Sequence, residues 1–157
     1  GKNIEGNISL VKALRDLNLN IEYHVFGGGP LENTLQTKYG DKSYILFKGL
    51  TLRNDLYSSM QNMDVFISQS TGEGLPVAPL EALLSGKAVI LSDIPPHDEF
   101  SKFFPKSTLI VKKDTSYYDI EKFLKSWLKA PALVEQEVLN YFHVNRMEKE
   151  YINVYKK

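Results

Sequence analysis

Two glutamates eight residues apart have the surroundings in this chain that best suit chemistry. Glu73 lies between Gly72 and Gly74, and Glu81 follows in a segment with helical spacing. Glycines make a loop costly to order, which is easiest to explain where a ligand must approach the backbone. A carboxylate can accept two hydrogen bonds from a ribose diol. The residue four positions after Glu81 is Ser85, which cannot form the usual helix-surface ion pair with it. The pair predicts a ligand site, with a capping or solvated acid as the structural alternative for each residue.

A second candidate loop is the run Gly27-Gly28-Gly29-Pro30, which precedes a helix expected near Leu31. Backbone N–H groups in such a turn can lie close to an anion because glycine has no side chain. The alternative is a tight strand-to-helix turn with Pro30 at the first helical position. A dinucleotide fingerprint fits badly, because Glu32 stands where the third glycine of that pattern belongs.

Five short runs rich in β-branched or aromatic residues must position these loops, and each predicts a strand. They cover residues 21–26, 44–47, 65–68, 88–92 and 108–111. Segments with helical spacing separate them, so the strands must run parallel in a doubly wound, Rossmann-like α/β fold with helices on both faces of the sheet. Ligands bind such folds beyond the carboxyl ends of the strands, where both candidate loops lie.

Helical spacing also predicts helices at residues 7–17, 119–129 and 133–155, and Gly86 is expected to end the helix that carries Glu81. The aromatic residues of the last predicted helix are typical of packing; they are Tyr141, Phe142, Tyr151 and Tyr155. Residues 94–99 are predicted to form a loop, with His97 as a solvated surface residue and contact with a substrate as the alternative, while His24 is expected to pack within a strand.

The composition indicates one ordinary globular domain of 157 residues. Nineteen basic residues balance nineteen acidic ones, so nucleic acid is not an expected partner. The absence of cysteine excludes thiol redox chemistry and thiolate metal sites and permits a reducing cytoplasm. We expect a cytoplasmic protein, the full-length form of which could lie at the inner face of a membrane. Because the chain opens with Gly1, a piece of a longer protein is expected.

One long ordered segment resembles a known family. Its residues are Glu73-Gly74-Leu75-Pro76-Val77-Ala78-Pro79-Leu80-Glu81-Ala82-Leu83, followed by Ser85-Gly86-Lys87-Ala88-Val89-Ile90-Leu91-Ser92-Asp93. This segment is similar to the signature of family 4 glycosyltransferases, retaining enzymes with the two-domain GT-B architecture. The similarity extends to Gly27-Gly28-Gly29-Pro30, Phe47-Lys48-Gly49 and Ser70. It implies that residues 1–157 are the carboxyl-terminal nucleotide-sugar-binding domain, and that an amino-terminal domain holds the acceptor.

The resemblance also implies a role for each matching residue. Glu73 would be catalytic, contacting the donor sugar and supporting the oxocarbenium-like charge, and Glu81 would hold the ribose. The other donor-binding residues would be Lys2, Gly27, Gly28, Gly29, Ser70, Gly74, Leu75, Pro76 and Val77. No metal and no cofactor are implied, because a uridine or guanosine diphosphate sugar is itself the substrate and backbone amides would stabilise the leaving group.

The family's first strand is missing from this chain, and with it the arginine that precedes the lysine matched by Lys2. The sheet is therefore expected to have a gap, an incomplete edge or a strand supplied by a partner. The resemblance implies sugar transfer to a polysaccharide or glycolipid, with no transfer by this domain alone. The alternatives are a sugar-nucleotide epimerase or hydrolase of the same architecture, and a non-enzymatic α/β interaction module.

Overall fold

Helices and strands alternate in the computed structural model, which describes residues 1–146. The elements are α1 (Ile4–Asp16), β1 (Tyr23–Phe26), α2 (Glu32–Tyr39), β2 (Ile45–Gly49), α3 (Arg53–Gln61), β3 (Val65–Ser68), α4 (Val77–Leu84), β4 (Ala88–Ser92), α5 (Pro95–Phe103), β5 (Thr108–Val111), α6 (Tyr117–Lys129) and α7 (Gln136–Tyr141). The five predicted strands are thus confirmed, with the first beginning at Tyr23 instead of residue 21. No helix of the described residues is long and apolar enough to cross a membrane.

Within residues 1–146 the strand pairs are all parallel, and they form two sheets instead of one. β1 pairs with β2, while β3, β4 and β5 pair in that order. The expected α/β architecture is confirmed, with β1 and β3 in separate sheets.

Helix α1 joins the two sheets through a buried asparagine. The Asn7 side-chain amide donates to the Tyr23 hydroxyl of β1 at 2.9 Å, and its oxygen accepts from the Gln69 backbone N–H, just after β3, at 2.8 Å. Ile8 packs in the cluster of β1 and β2, whereas Leu14 packs in the cluster that includes β4. Buried polar groups need partners, so Asn7 fixes α1 to both sheets at once.

Strand β4 is buried on both faces, as the doubly wound fold requires. Val89 and Leu91 pack on one side with α4 and α5, including Leu83 and Phe100. Ile90 points to the other side, where the cluster is built from α1 and α6. This alternation of period two places helices on both faces of the three-stranded sheet.

The ends of three helices can be compared with the sequence-based expectation. Helix α1 starts at Ile4 and not at residue 7, because Asn3 caps it by accepting a hydrogen bond from the Gly6 N–H. Helix α6 starts at Tyr117 and not at residue 119, because Ser116 and Asp119 form a capping box. Gly86 ends α4 with a φ of 73°, as predicted.

Residues 94–99 are not the predicted loop, because helix α5 begins at Pro95. Its first two residues are prolines. Proline has no backbone N–H, but the N–H groups of the first helical turn have no acceptor within the helix, so proline is tolerated there. His97 is consequently fully buried, and its prediction as a surface residue was wrong.

The last predicted helix is shorter than expected where it is described. Helix α7 begins at Gln136 and ends at Tyr141. The rings of Tyr141 and Phe142 contact that of Phe103 of α5, in a tilted and an edge-on arrangement with centroids 4.5 and 5.3 Å apart, which confirms their packing role. The predicted helical residues 147–155, including Tyr151 and Tyr155, lie outside the described part of the chain.

Candidate functional site

Glu73 lies in the loop between β3 and α4, at the carboxyl end of the three-stranded sheet. Its Oε1 accepts hydrogen bonds from the Ser70 hydroxyl at 2.7 Å and from the Lys2 ammonium at 2.8 Å. The Glu73 side chain is only 13% exposed, whereas that of Lys2 is 68% exposed. The glycine-flanked acid is therefore held in a defined position by two partners.

The segment that carries Lys2 is fastened to the same loop. The Thr71 backbone N–H donates to the Gly1 carbonyl at 3.0 Å, and the Asn3 side-chain amide donates to the Gln69 carbonyl at 2.8 Å. Lys2 is thus fixed beside Glu73 by bonds on both of its flanks.

The surroundings of Glu73 favour its ionised form. The hydrogen bond from Lys2 lowers the pKa of the carboxyl below its ordinary value, and partial burial opposes this effect. The Ser70 hydroxyl and the positive charge of Lys2 lower the pKa further. At neutral pH the loop therefore presents a carboxylate.

Glu81 lies in the second turn of α4 and is held by residues of α3. Its Oε1 accepts from the Tyr57 hydroxyl at 2.8 Å and from the Arg53 guanidinium at 3.1 Å. Arg53 also donates to the Tyr57 hydroxyl at 2.9 Å. The sequence pointed to no partner for Glu81, because its cation comes from a different helix and not from Ser85.

The turn Gly27-Gly28-Gly29 follows β1, at the carboxyl end of the other sheet. Gly27 has a φ of 101°, a left-handed conformation that suits glycine, and its N–H donates to the Gly49 carbonyl at 2.8 Å. A Cβ built at Gly28 would lie 2.9 Å from Glu32 Oε2 and 3.4 Å from the Leu50 side chain, while Gly29 faces open space. The turn thus leaves backbone exposed at this sheet edge.

The residues 74–77 lead into α4 beyond Glu73. Leu75 is 80% exposed, and α4 begins at Val77 without a side-chain cap or an acidic residue in its first turn. Free N–H groups at such a helix start favour an anionic ligand. Next to residues 74–76 is a cavity of about 360 Å³, which Glu99 and the aromatic rings of Phe100 and Phe103 border. The glycine turn after β1 does not line it.

The predicted residues thus form three groups. Lys2, Ser70 and Glu73 are joined by direct hydrogen bonds. Glu81 is held separately by α3, and the glycine turn contacts β2. Two residues that hold Glu81 were missed from the sequence, Arg53 and Tyr57, and His97 was named but expected to be exposed. The i, i+4 spacing of Arg53 and Tyr57 puts them on one side of α3, but no sequence signal directs that side toward Glu81.

The fold and the site together define a class of protein. It is a Rossmann-like α/β domain in which hydrogen bonds hold two carboxylates near the carboxyl ends of the strands. The chain belongs to the family described as glycosyl transferases group 1, whose model matches residues 1–140. The expected family resemblance is thereby confirmed, and the chain is a member of a family of enzymes.

Two curated relatives and one solved structure illustrate the similarity. The chain is 46% identical over 44 residues to the N,N'-diacetylbacillosaminyl-diphospho-undecaprenol alpha-1,3-N-acetylgalactosaminyltransferase of Campylobacter jejuni, a match over 28% of this chain and 12% of the relative. It is 30% identical over 140 residues to the UDP-N-acetylglucosamine--peptide N-acetylglucosaminyltransferase GtfA subunit of Limosilactobacillus reuteri, covering 84% of this chain and 24% of the relative. The crystal structure of TarM matches with a TM-score of 0.79 and 18% identity, over 99% of this chain and 33% of TarM. The chain therefore spans a quarter or less of these curated relatives, and the structural match shows the fold.

Proposed function

We propose that this chain binds the nucleotide-sugar donor of a retaining, metal-independent glycosyltransferase, as the donor-binding domain of a two-domain enzyme. The observation that carries the proposal is the way in which Glu73 is held. Lys2 and Ser70 both bond to its Oε1, while no described residue donates a hydrogen bond to its Oε2. One oxygen fixes the carboxylate, and the other is available to a ligand.

Glu73 would act on the sugar end of the donor. As the bond between the anomeric carbon and the phosphate oxygen breaks, its electron pair leaves with the phosphate and positive charge develops on the sugar. A fixed carboxylate accepts a hydrogen bond from a sugar hydroxyl and stabilises that charge without needing to reorient. The lowered pKa of Glu73 keeps it ionised for this role.

Glu81 would hold the ribose at the other end of the donor. Its contacts with Tyr57 and Arg53 also fall on Oε1. No described residue donates to its second carboxylate oxygen, which could accept from a ribose hydroxyl. Arg53 is 75% exposed, so a ligand could displace it at little cost.

The diphosphate would lie between these two acids. The uncapped start of α4 offers the backbone N–H groups of Leu75 and Ala78, since the Val77 N–H already donates to the Leu75 carbonyl at 3.0 Å. Lys2 lies beside Glu73 with a largely exposed ammonium. The backbone of Gly27, Gly28 and Gly29 would border the donor from the other sheet. Leaving-group charge would thus be met by amides and one lysine, without a metal ion.

The acceptor would bind to the part of the enzyme outside this chain. We infer a polysaccharide or glycolipid acceptor and no transfer by this chain alone, because an open half-site lacks the surface that closes over the reacting groups. A UDP- or GDP-linked donor, metal independence and a cytoplasmic location stay predictions. The UDP-sugar named for the relative of Limosilactobacillus reuteri makes UDP the first probe.

Calorimetric titration of the chain with UDP, GDP and their common sugar derivatives tests the proposal. We expect saturable binding of one nucleotide family, with the sugar derivative bound more tightly than the bare diphosphate. Binding of none of them would contradict the proposal. Hydrolysis or epimerisation of the sugar nucleotide without an acceptor would favour the other enzyme class of this architecture.

A further inference from the structure

His97 is a buried histidine that the proposed donor contacts do not use. It lies in the first turn of α5, and its ring has no exposed surface. Its Nδ1 is 2.9 Å from the Ser92 carbonyl oxygen at the end of β4, while Nε2 is buried without a hydrogen-bond partner among the described residues. A buried polar atom without a partner costs about 1–3 kcal/mol, so such a residue needs a reason.

The contact with Ser92 determines which ring nitrogen carries the proton. A carbonyl oxygen can only accept a hydrogen bond, so His97 Nδ1 must donate to it. The ring therefore ties the start of α5 to the carboxyl end of β4.

Ser92 continues this connection toward the candidate site. Its hydroxyl donates to the Ser70 carbonyl oxygen at 2.5 Å and lies 3.4 Å from His97 Nδ1. The Ser70 hydroxyl in turn donates to Glu73 Oε1. Because that hydroxyl has one proton, the Ser68 hydroxyl must donate to Ser70 at 3.0 Å. Ser70, which is almost fully buried, is thus bonded at its carbonyl and on both sides of its hydroxyl.

We propose that His97 is a positioning residue for Glu73, which it orients through Ser92 and Ser70. The significance of this orientation rests on the proposed function, since Glu73 is the carboxylate assigned to the donor sugar. The connection itself is a property of the folded chain and can be measured without a ligand.

Two substitutions at one position separate this role from packing and from charge. In His97→Asn the side-chain amide can replace Nδ1 as the donor to Ser92. In His97→Leu a side chain of similar bulk remains and the donor is lost. Both variants remove the charge that a protonated ring would place near Glu73, so a difference between them reports the hydrogen bond.

The readout is the pKa of the Glu73 carboxyl, followed by ¹³C NMR of the chain without ligand. The groups that face this carboxyl are Lys2, Ser70 and His97. We expect a lowered pKa in the native chain and in His97→Asn, and a rise toward the ordinary value in His97→Leu. Ser70→Ala, which deletes the hydrogen bond directly, gives the reference rise. Equal pKa values in His97→Asn and His97→Leu would overturn the proposal.

Ser92→Ala provides a second test if His97→Leu does not fold. It removes the hydroxyl with which Ser92, the residue that accepts from His97, donates to the Ser70 carbonyl, and we expect it to raise the pKa of Glu73 as well. An unchanged pKa in folded Ser92→Ala would overturn the connection.

Ligand binding then tests the consequence separately. His97→Leu should lose about tenfold in affinity for the sugar nucleotide while binding the bare diphosphate within about twofold of the native chain. Equal losses for both ligands would indicate a merely structural role for His97. If the native chain binds neither ligand, the proposed function fails, whereas the ligand-free NMR result still decides whether His97 positions Glu73.

Discussion

Replacing Glu81 by glutamine should weaken nucleotide binding while leaving the fold intact. The substitution keeps the shape of the side chain and removes its charge. The cost to the folded chain is small, because the pair with Arg53 involves a guanidinium that is 75% exposed, and exposed ion pairs contribute about 0–1 kcal/mol. The substitution should therefore mainly lower the affinity for the nucleotide.

The expected magnitude follows from the two ribose hydroxyls. Hydrogen bonds to a charged group contribute about 1.5–3 kcal/mol, and neutral ones about 0.5–1.5 kcal/mol. Each ribose bond should thus weaken by about 1 kcal/mol, and two of them by about 2 kcal/mol, or about 30-fold in Kd. UDP and the sugar nucleotide should lose affinity equally, because the ribose is common to both.

Calorimetry of three variants provides the assay. Asp41→Asn is the matched control, since it removes a carboxylate paired with Lys42 on the surface. Glu73→Gln should weaken binding of the sugar nucleotide and leave UDP unchanged, the opposite selectivity to Glu81→Gln. If Glu81→Gln bound UDP within about threefold of the native chain, or if Glu73→Gln weakened UDP as strongly as the sugar nucleotide, the assignment of the two acids would be refuted.

Three stability predictions follow from the packing and the charges. Asn7→Ala should lower the free energy of unfolding by about 1–3 kcal/mol, because it leaves the part-buried Tyr23 hydroxyl and Gln69 N–H without their partner. Urea unfolding, with the exposed Asn54→Ala as the control, checks this value. Leu14→Ala should lower the free energy of unfolding by about 2–5 kcal/mol, and the exposed Leu128→Ala should lower it by less than about 0.5 kcal/mol. Equal decreases in the two variants would contradict the described core. Because folding lowers the pKa of Glu73 below 4.5, its ionised form stabilises the fold above that pH, and this contribution is lost as the pH falls through the lowered pKa. The difference in unfolding free energy between the native chain and Glu73→Gln should therefore shrink below pH 4.5, and a constant difference from about pH 7 to about pH 3 would count against the Lys2 and Ser70 contacts.

The strands could be predicted from the sequence because their burial produces a local pattern of apolar residues, whereas their division into two sheets could not. Ala88 to Leu91 are apolar without interruption, which is what a strand covered on both faces requires. Helix α5 could not be predicted in the same way, since Pro95 and Pro96 are as typical of a loop as of a helix start. The error at His97 follows directly, because a residue in a predicted loop is expected to be exposed.

The candidate site could be predicted only in part. The glycines on both sides of Glu73 are a local signal, and they indicate a special loop from the sequence alone. The partner of this acid, Lys2, is 71 residues away in the chain, and Arg53 is 28 residues from Glu81. Such contacts depend on how the helices pack, and neither spacing nor composition carries that information.

A crystal structure of this chain with a bound sugar nucleotide tests the central claim most directly. We predict that the free carboxylate oxygen of Glu73 lies within hydrogen-bonding distance of a sugar hydroxyl, and that Glu81 contacts the ribose diol of the same molecule. A nucleotide bound elsewhere on the chain, or one that reaches neither acid, would contradict the account.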